Sequence, residues 1–461
     1  MTATPQRGFP EEEFASRCAA AQAAMARRGV DAMLFASEPE IRYFTGFMTP
    51  FWQSPTRPWF LVLPLMGQPI AIIPTIGVPL MSECYVGKVV RWASPAPEDD
   101  GISLLAGQIR EAIGPSGTLG VMMGRETSLR APLADVMALR AMLDGISWTD
   151  ITGDIQSIRM VKSPREIEKI RHVCSLADDA FAAVPDWVQA GLPLDQLFRE
   201  FKRDALQRGV DDVSYLVGSA GAGGYRDIIA PPNDRPLANG DILMLDTGCV
   251  WDGYFCDFDR NFAIGTPGET AKLAHSRLYD ATEAALIALR PGITPQDLFV
   301  IMDQILRPNS TPGSGGDDVG RYGHGLGIQL TEPPSHTAWD ETEISAGIIQ
   351  RIFGLVSLTI QTAGGGSERA VLSALDAETA RTIVDVLNPK NVEESELNSE
   401  LSQEEQQIDA LPNKGDYSHS KLTPLPNHQP HTNQNPEWTL SNKRLLYLAL
   451  TSGEFGIIAT I

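Results

Sequence analysis

The chain has 461 residues, 43% hydrophobic and 21% charged, enough to bury two or three cores at roughly 150 residues each. Lys and Arg number 37 against 58 Asp and Glu, a formal charge of −21, which repels nucleic acid and anionic lipid and leaves no basic stripe for phosphate. The longest apolar run, Trp59 to Met81, is broken by Pro64, Gly67, Pro69, Pro74, Gly77 and Pro79, so it reads as short strands rather than the unbroken helix of about 20 residues that spans a bilayer.

The chain opens on polar residues and Glu11, Glu12 and Glu13, with no apolar stretch that resembles a secretory signal, so a cytoplasmic location is expected. Five cysteines, Cys18, Cys84, Cys174, Cys249 and Cys256, are odd in number and never spaced as CxxC; they read as reduced, mostly buried thiols. Phe14, Cys18, Ala21 and Met25 have helical spacing and end at Gly29, and a strand follows over Val30 to Phe35. Strands at Trp59–Leu63, Ile70–Ile73, Val89–Ala93 and Leu119–Met122 and a helix over Leu133–Leu143 complete an α/β domain assigned to residues 1–155.

A second domain, 160–388, starts where Ser163 caps a helix with Pro164 at its first position and Glu166 closing a capping box. Helices follow over 164–181, 194–207 and 270–289 and after Pro295, with strands and turns between Val213 and Ile264. Past about Pro389 the composition turns to Asn, Gln, Ser, Glu and Pro, too polar to offset the entropy of ordering, and 389–461 reads as a largely disordered tail with an apolar end.

The stretch GDILMLDTGCVWDGYFCDFDRNFAIG, Gly240 to Gly265, reads as two strands joined at Trp251-Asp252-Gly253. With Trp251-Asp252 as the turn, Asp246 faces Asp257; with Asp252-Gly253, it faces Asp259. Because strand side chains alternate, either register gathers Asp246, Asp257 and Asp259 on one face, an arrangement that calls for a cation. Of the histidines before the tail, His172 and His275 fall in helical stretches and His336 stands in no motif, whereas His324 sits in RYGHGLGIQLTEPP among Gly323, Gly325 and Gly327. There the missing side chains let a ligand approach closely.

With Asp246 and Asp257 eleven apart, then Arg260, then GHGLG, the chain resembles the pita-bread metallopeptidase family that includes prolidase, Xaa-Pro aminopeptidase and creatinase-like hydrolases. MARRGVDAMLF and IRYFTGF are similar to that family's amino-terminal domain. The resemblance covers about residues 10–347. It implies a creatinase-like α/β domain followed by a pita-bread α+β catalytic domain, a homodimer, and two divalent metal ions that serve hydrolysis of a peptide or amide C–N bond. Asp246, Asp257 and His324 would be metal ligands, Asp259 and Arg260 would support them, and Glu332 is the catalytic candidate. Oxygen-rich ligation with one imidazole favours Mn²⁺ ahead of Zn²⁺, Co²⁺ or Fe²⁺.

Three departures qualify that expectation. Ile228 and Ile229 stand near the family's first substrate histidine, and Thr331 precedes Glu332 where a second is usual, so a creatinase-like or ectoine-hydrolase-like amide substrate is the alternative to a peptide. After Gly347 the family's Glu-Pro-Gly strand is missing; its nearest echo, Gly354 to Gln361, carries Gln361 at the Glu position, and Glu368 is a weak substitute for the later Glu. Three of five expected ligands remain, and an inactive, metal-poor family member is the further alternative.

Overall fold

The computed structural model describes residues 4–54, 57–309 and 320–344, together with the backbone of two strands at 355–361 and 369–376. Residues 4–344 belong to one compact unit and the two strands to another. The polar tail expected over 389–461 lies outside the described residues. Among them, no helix is long and apolar enough to cross a membrane.

The first unit opens with α1 (Glu11–Arg28), β1 (Ala32–Phe35), α2 (Glu38–Thr45), β2 (Phe60–Pro64), β3 (Ile70–Pro74), the one-turn α3 (Val78–Met81), β4 (Lys88–Trp92), α4 (Ile102–Ile113), β5 (Thr118–Val121), α5 (Leu133–Met142), β6 (Ser147–Asp150) and α6 (Thr152–Met160). The expected end of α1 is met: Gly29 takes φ 65° and its N–H bonds Met25 O. The strands form one mixed sheet in the order β4-β3-β2-β1-β5-β6. β1 is buried along its whole length. Met33, Phe35, Leu61, Leu63 and Ile73 point into a core shared with the second domain, while Leu34, Phe60, Val62 and Ile72 point into another with Leu105 and Ile109 of α4. A strand covered on both faces has no polar face to show, so its sequence is a continuous apolar run.

The second half consists of α7 (Pro164–Trp187), α8 (Leu194–Arg208), β7 (Asp212–Ala222), β8 (Asp241–Trp251), β9 (Tyr254–Phe255), β10 (Phe258–Ala263), α9 (Glu269–Ala288), α10 (Pro295–Leu306), β11 (His324–Gly325) and β12 (Glu332–Ser335). The capping box at Ser163 and Glu166 forms as the sequence predicts. Residue 155, where sequence ended the first domain, lies inside α6, a helix whose short pattern gave no periodic signal. Sequence reading also passed over α2, α4 and β6. In the second unit β13 (Leu355–Gln361) and β14 (Arg369–Asp376) pair antiparallel.

Candidate active site

β8 and β10 pair antiparallel, with β7 on the other side of β8. The register is the second of the two that the sequence allowed: Trp251 pairs with Tyr254, Thr247 with Phe258 and Asp246 with Asp259. Asp252 at φ 48° and Gly253 at φ 77° form the two-residue turn. Positive φ at both central positions matches the twist of the strands, and Gly253 has a second reason to lack a side chain: a Cβ there would lie 2.8 Å from Arg42 Nη1. Between β9 and β10 the Cys256 N–H still donates to Cys249 O at 2.9 Å, and the next residue, Asp257, lies beside His324.

His324 Nε2 stands 3.2 Å from Asp257 Oδ2, and its Nδ1 lies 2.9 Å from Gly325 O. A carbonyl only accepts, so Nδ1 carries the proton in that bond, and Nε2 faces the carboxylate. Two acceptors so close need a proton or a cation between them. Burial first, then the charge of Asp257, pushes Asp246 up to about 8; its Oδ1 is buried with no hydrogen-bond partner among the described residues. Asp259 is raised well above the usual carboxylate range by burial and by Asp246, and accepts a bond from Asn261 Nδ2 at 3.1 Å. The four side chains that sequence singled out are thus brought together, His324 from 67 residues beyond Asp257, on a carboxylate-rich face whose charge the described residues compensate only in part.

Arg260 supplies only partial compensation: its charge lowers Asp259 against burial and Asp246, while its Nη1 donates to the Asp259 main-chain carbonyl at 2.9 Å. It alternates to the opposite face of β10, where its guanidinium lies 3.6 Å from Asp178 and over the Phe181 and Phe258 rings, 5.5 and 4.8 Å from their centroids. Glu332 is also engaged elsewhere: its Oε1 accepts from Arg159 at 2.7 Å and its Oε2 from Lys162 at 2.9 Å. These cations override the opposing effect of burial and hold its carboxyl at about 2. A carboxyl so held is a poor proton carrier near neutrality.

Sequence reading passed over three neighbours of the face. The His336 N–H donates to Gly323 O at 2.8 Å, and burial, with His324 adding repulsion, pushes its imidazole down to about 4. Tyr215 and Tyr225 feel the charges of Asp246 and Asp259, which, after burial, raise both phenols. His336 is placed by pairing of β11 with β12, and the tyrosines by β7 and the turn after it. Both depend on partners distant in sequence.

The donor chemistry fits a divalent cation: unpartnered carboxylate oxygen, mutual repulsion and an imidazole lone pair. Among the described residues, however, no group of three or more His, Cys, Asp or Glu side chains is arranged to hold a metal ion. They offer part of a site. Glu368 lies outside the described residues, and Gln361 is described only in its backbone.

Comparison with known proteins agrees with this architecture. The profile of metallopeptidase family M24 matches residues 168–353, and that of the creatinase/prolidase N-terminal domain matches 17–161. A bacterial PH domain profile matches 340–391, mostly beyond the described residues. A probable dipeptidase PepE of Mycobacterium bovis is 26% identical over 344 residues, 74% of this chain and 87% of that protein. The prolidase of Thermococcus sibiricus superposes with a TM-score of 0.64 at 22% identity, covering 80% of this chain and 95% of that one. The dipeptidase PepE of Mycobacterium ulcerans gives 0.63 at 23%, with the same coverage.

Proposed function

Because the chain belongs to metallopeptidase family M24 and is a metal-dependent hydrolase of that family, we propose that its substrates are short peptides and that Asp246, Asp257 and His324 are its metal ligands. The observation that carries this reading is the convergence of those three residues and Asp259 on a buried face whose charge the described residues compensate only in part. The dipeptidase and prolidase relatives support a peptide over the creatinase-like amide alternative.

A bound divalent ion lowers the pKa of its water and polarises the scissile carbonyl, supplying a nucleophile at neutral pH. Around it, the Gly325 carbonyl fixes the His324 tautomer, which keeps Nε2 available. Asn261 orients Asp259 behind Asp246. Arg159 and Lys162 hold Glu332 in a positioning role beneath the loop that carries His324. Oxygen-rich ligation favours Mn²⁺.

With two carboxylate ligands and one imidazole, a pair of dications a few ångströms apart lacks bridging oxygens and charge compensation. The chain should therefore retain one loosely bound ion per molecule and hydrolyse dipeptides weakly. Metal analysis by mass spectrometry after Mn²⁺ loading and desalting, beside an Xaa-Pro and general dipeptide panel, tests both. Asp246→Ala or Asp257→Ala should abolish retention. Retention unchanged by either substitution would overturn the ligand assignment, and two tightly held ions would show that another carboxylate completes the set.

A further inference from the structure

A cavity of about 220 Å³ opens at the hairpin tip, between α1, α2, the residue 83–85 turn and the chain at residues 8 and 9. It lies apart from the carboxylate face: Asp246 is five residues along β8 from Trp251, about 17 Å at the rise of a strand. An apolar cavity of about 150 Å³ already holds benzene.

One wall is aromatic. Phe9 meets Phe14 edge-on at 6.0 Å, and Phe14 stacks on Tyr85 at 6.1 Å. The other carries two guanidiniums, Arg17 and Arg42, and each has a buried Nε–H with no acceptor among the described residues. A buried donor left without an acceptor is costly, and a ligand that supplies one is favoured.

Of the two cations, Arg42 is the one poorly answered by protein charge, whereas the charges around Arg17 outweigh its burial. Arg42 reaches the partly exposed Glu38 at only 3.4 Å and otherwise donates to the Ile328 carbonyl at 2.8 Å. Burial, and to a lesser extent Arg159, weakens its hold on its proton. Arg17 lies 3.4 Å from Glu13 and 3.5 Å from Glu166. Asp252, the acid inside the cavity, is taken by Lys169 at 2.5 Å and by the Gly8 N–H at 2.8 Å. Glu83 also lines the cavity and is solvent-exposed, which disfavours a dianion such as phosphate.

We propose that this cavity is a binding site for a small monocarboxylate with an aromatic body, its carboxylate against Arg42 and Arg17 and its ring against Phe14 and Tyr85. Such an occupant would touch the first domain and the hairpin tip at once. The site is independent of the peptidase reading.

Cys84 supplies the measurement. It lines the cavity and is the one cysteine that is not buried. Burial raises its thiol to about 11, so iodoacetamide labels it slowly at pH 8, and mass spectrometry can follow the rate. With 3-phenylpropanoate at ten times its Kd, labelling should slow about tenfold, whereas 3-phenylpropan-1-ol and inorganic phosphate should leave it unchanged. Arg42→Met should remove the protection. Met48→Trp, at an exposed lining position, should also remove it by filling the space, with both guanidiniums kept and the fold checked by circular dichroism. No protection by the acid at about 10 mM, a concentration that fills a site of about 1 mM affinity, would overturn the proposal. Equal protection by the alcohol or by phosphate, or protection that survives in folded Arg42→Met, would do the same.

Discussion

Two regions of the catalytic half bury carboxylates and treat them in opposite ways. At the junction with the first domain, Glu332 and Glu40 share Arg159, and Lys162 takes the remaining oxygen of Glu332, with all contacts between 2.6 and 2.9 Å. On the hairpin, Asp246, Asp257 and Asp259 converge with no Lys or Arg within ion-pair distance among the described residues; the nearest guanidinium in sequence, Arg260, lies 3.6 Å from Asp178 and only partly offsets Asp259. Burial alone therefore does not mark a functional acid. The mark is burial combined with charge that the protein compensates only in part, since such a cluster persists only where a ligand completes it.

The sharpest way to break that contrast is to neutralise one carboxylate in each region. Glu332→Gln strands Arg159 and Lys162 in a dry setting and should cost about 3 kcal/mol, as removal of one partner from a buried pair does. Asp259→Asn replaces an acid whose charge the fold disfavours and keeps the acceptor for Asn261, so the metal-free protein should be unchanged or more stable at pH 8. Urea unfolding of both variants measures the difference. Equal losses would mean that the hairpin carboxylates are compensated after all.

A pH series tests the same idea more gently. Asp246 titrates near 8 in the fold and near 3.9 in the unfolded chain. The native state thus holds an extra proton between those values, and this group's contribution to stability falls as pH rises from about 4 to about 8. Asp246→Asn abolishes the dependence, so its stability advantage over the natural protein should widen from pH 5 to pH 8 in the absence of metal. Added Mn²⁺ should narrow it again at pH 8, because the ion takes the place of the proton. A pH-independent difference would contradict the raised titration.

Much of this was legible in the sequence because the decisive signals were local. The Trp251-Asp252-Gly253 turn confines the register to two choices within a dozen residues, and alternation puts Asp257 and Asp259 on one face in either. Ser163, Pro164 and Glu166 announce α7 through contacts within one helical turn. What escaped depends on partners far away. Glu332 read as catalytic because its partners, Arg159 and Lys162, precede it by 173 and 170 residues, and nothing in TEPP announces a cation. Arg260 read as support for the ligands, yet the alternation that gathers the aspartates turns it to Asp178. The register was left open by sequence because both turns satisfy the same residues; in the structure Asp252 and Gly253 both take positive φ and form the turn.

The smallest expected effect probes the seam between the two regions. Ser163 Oγ accepts from the Glu166 N–H at 3.2 Å, Glu166 Oε2 accepts from the Ser163 N–H at 2.8 Å, and Glu166 Oε1 takes the Tyr254 hydroxyl at 2.9 Å. One cap therefore ties α7 to the hairpin tip and immediately follows Lys162. Ser163→Ala should cost about 1 kcal/mol, the usual loss for an N-cap. Its coupling matters more than its size. Combined with Glu332→Gln, the cost should fall short of the sum by about 0.5 kcal/mol or more, because both act on the placement of Lys162; combined with Asp259→Asn, the two should add, as sites without shared partners do. Equilibrium unfolding of the four double-mutant corners decides it. Additivity in both pairs would mean that the cap leaves the junction network untouched, and coupling to Asp259 alone would place the seam on the other side of α7.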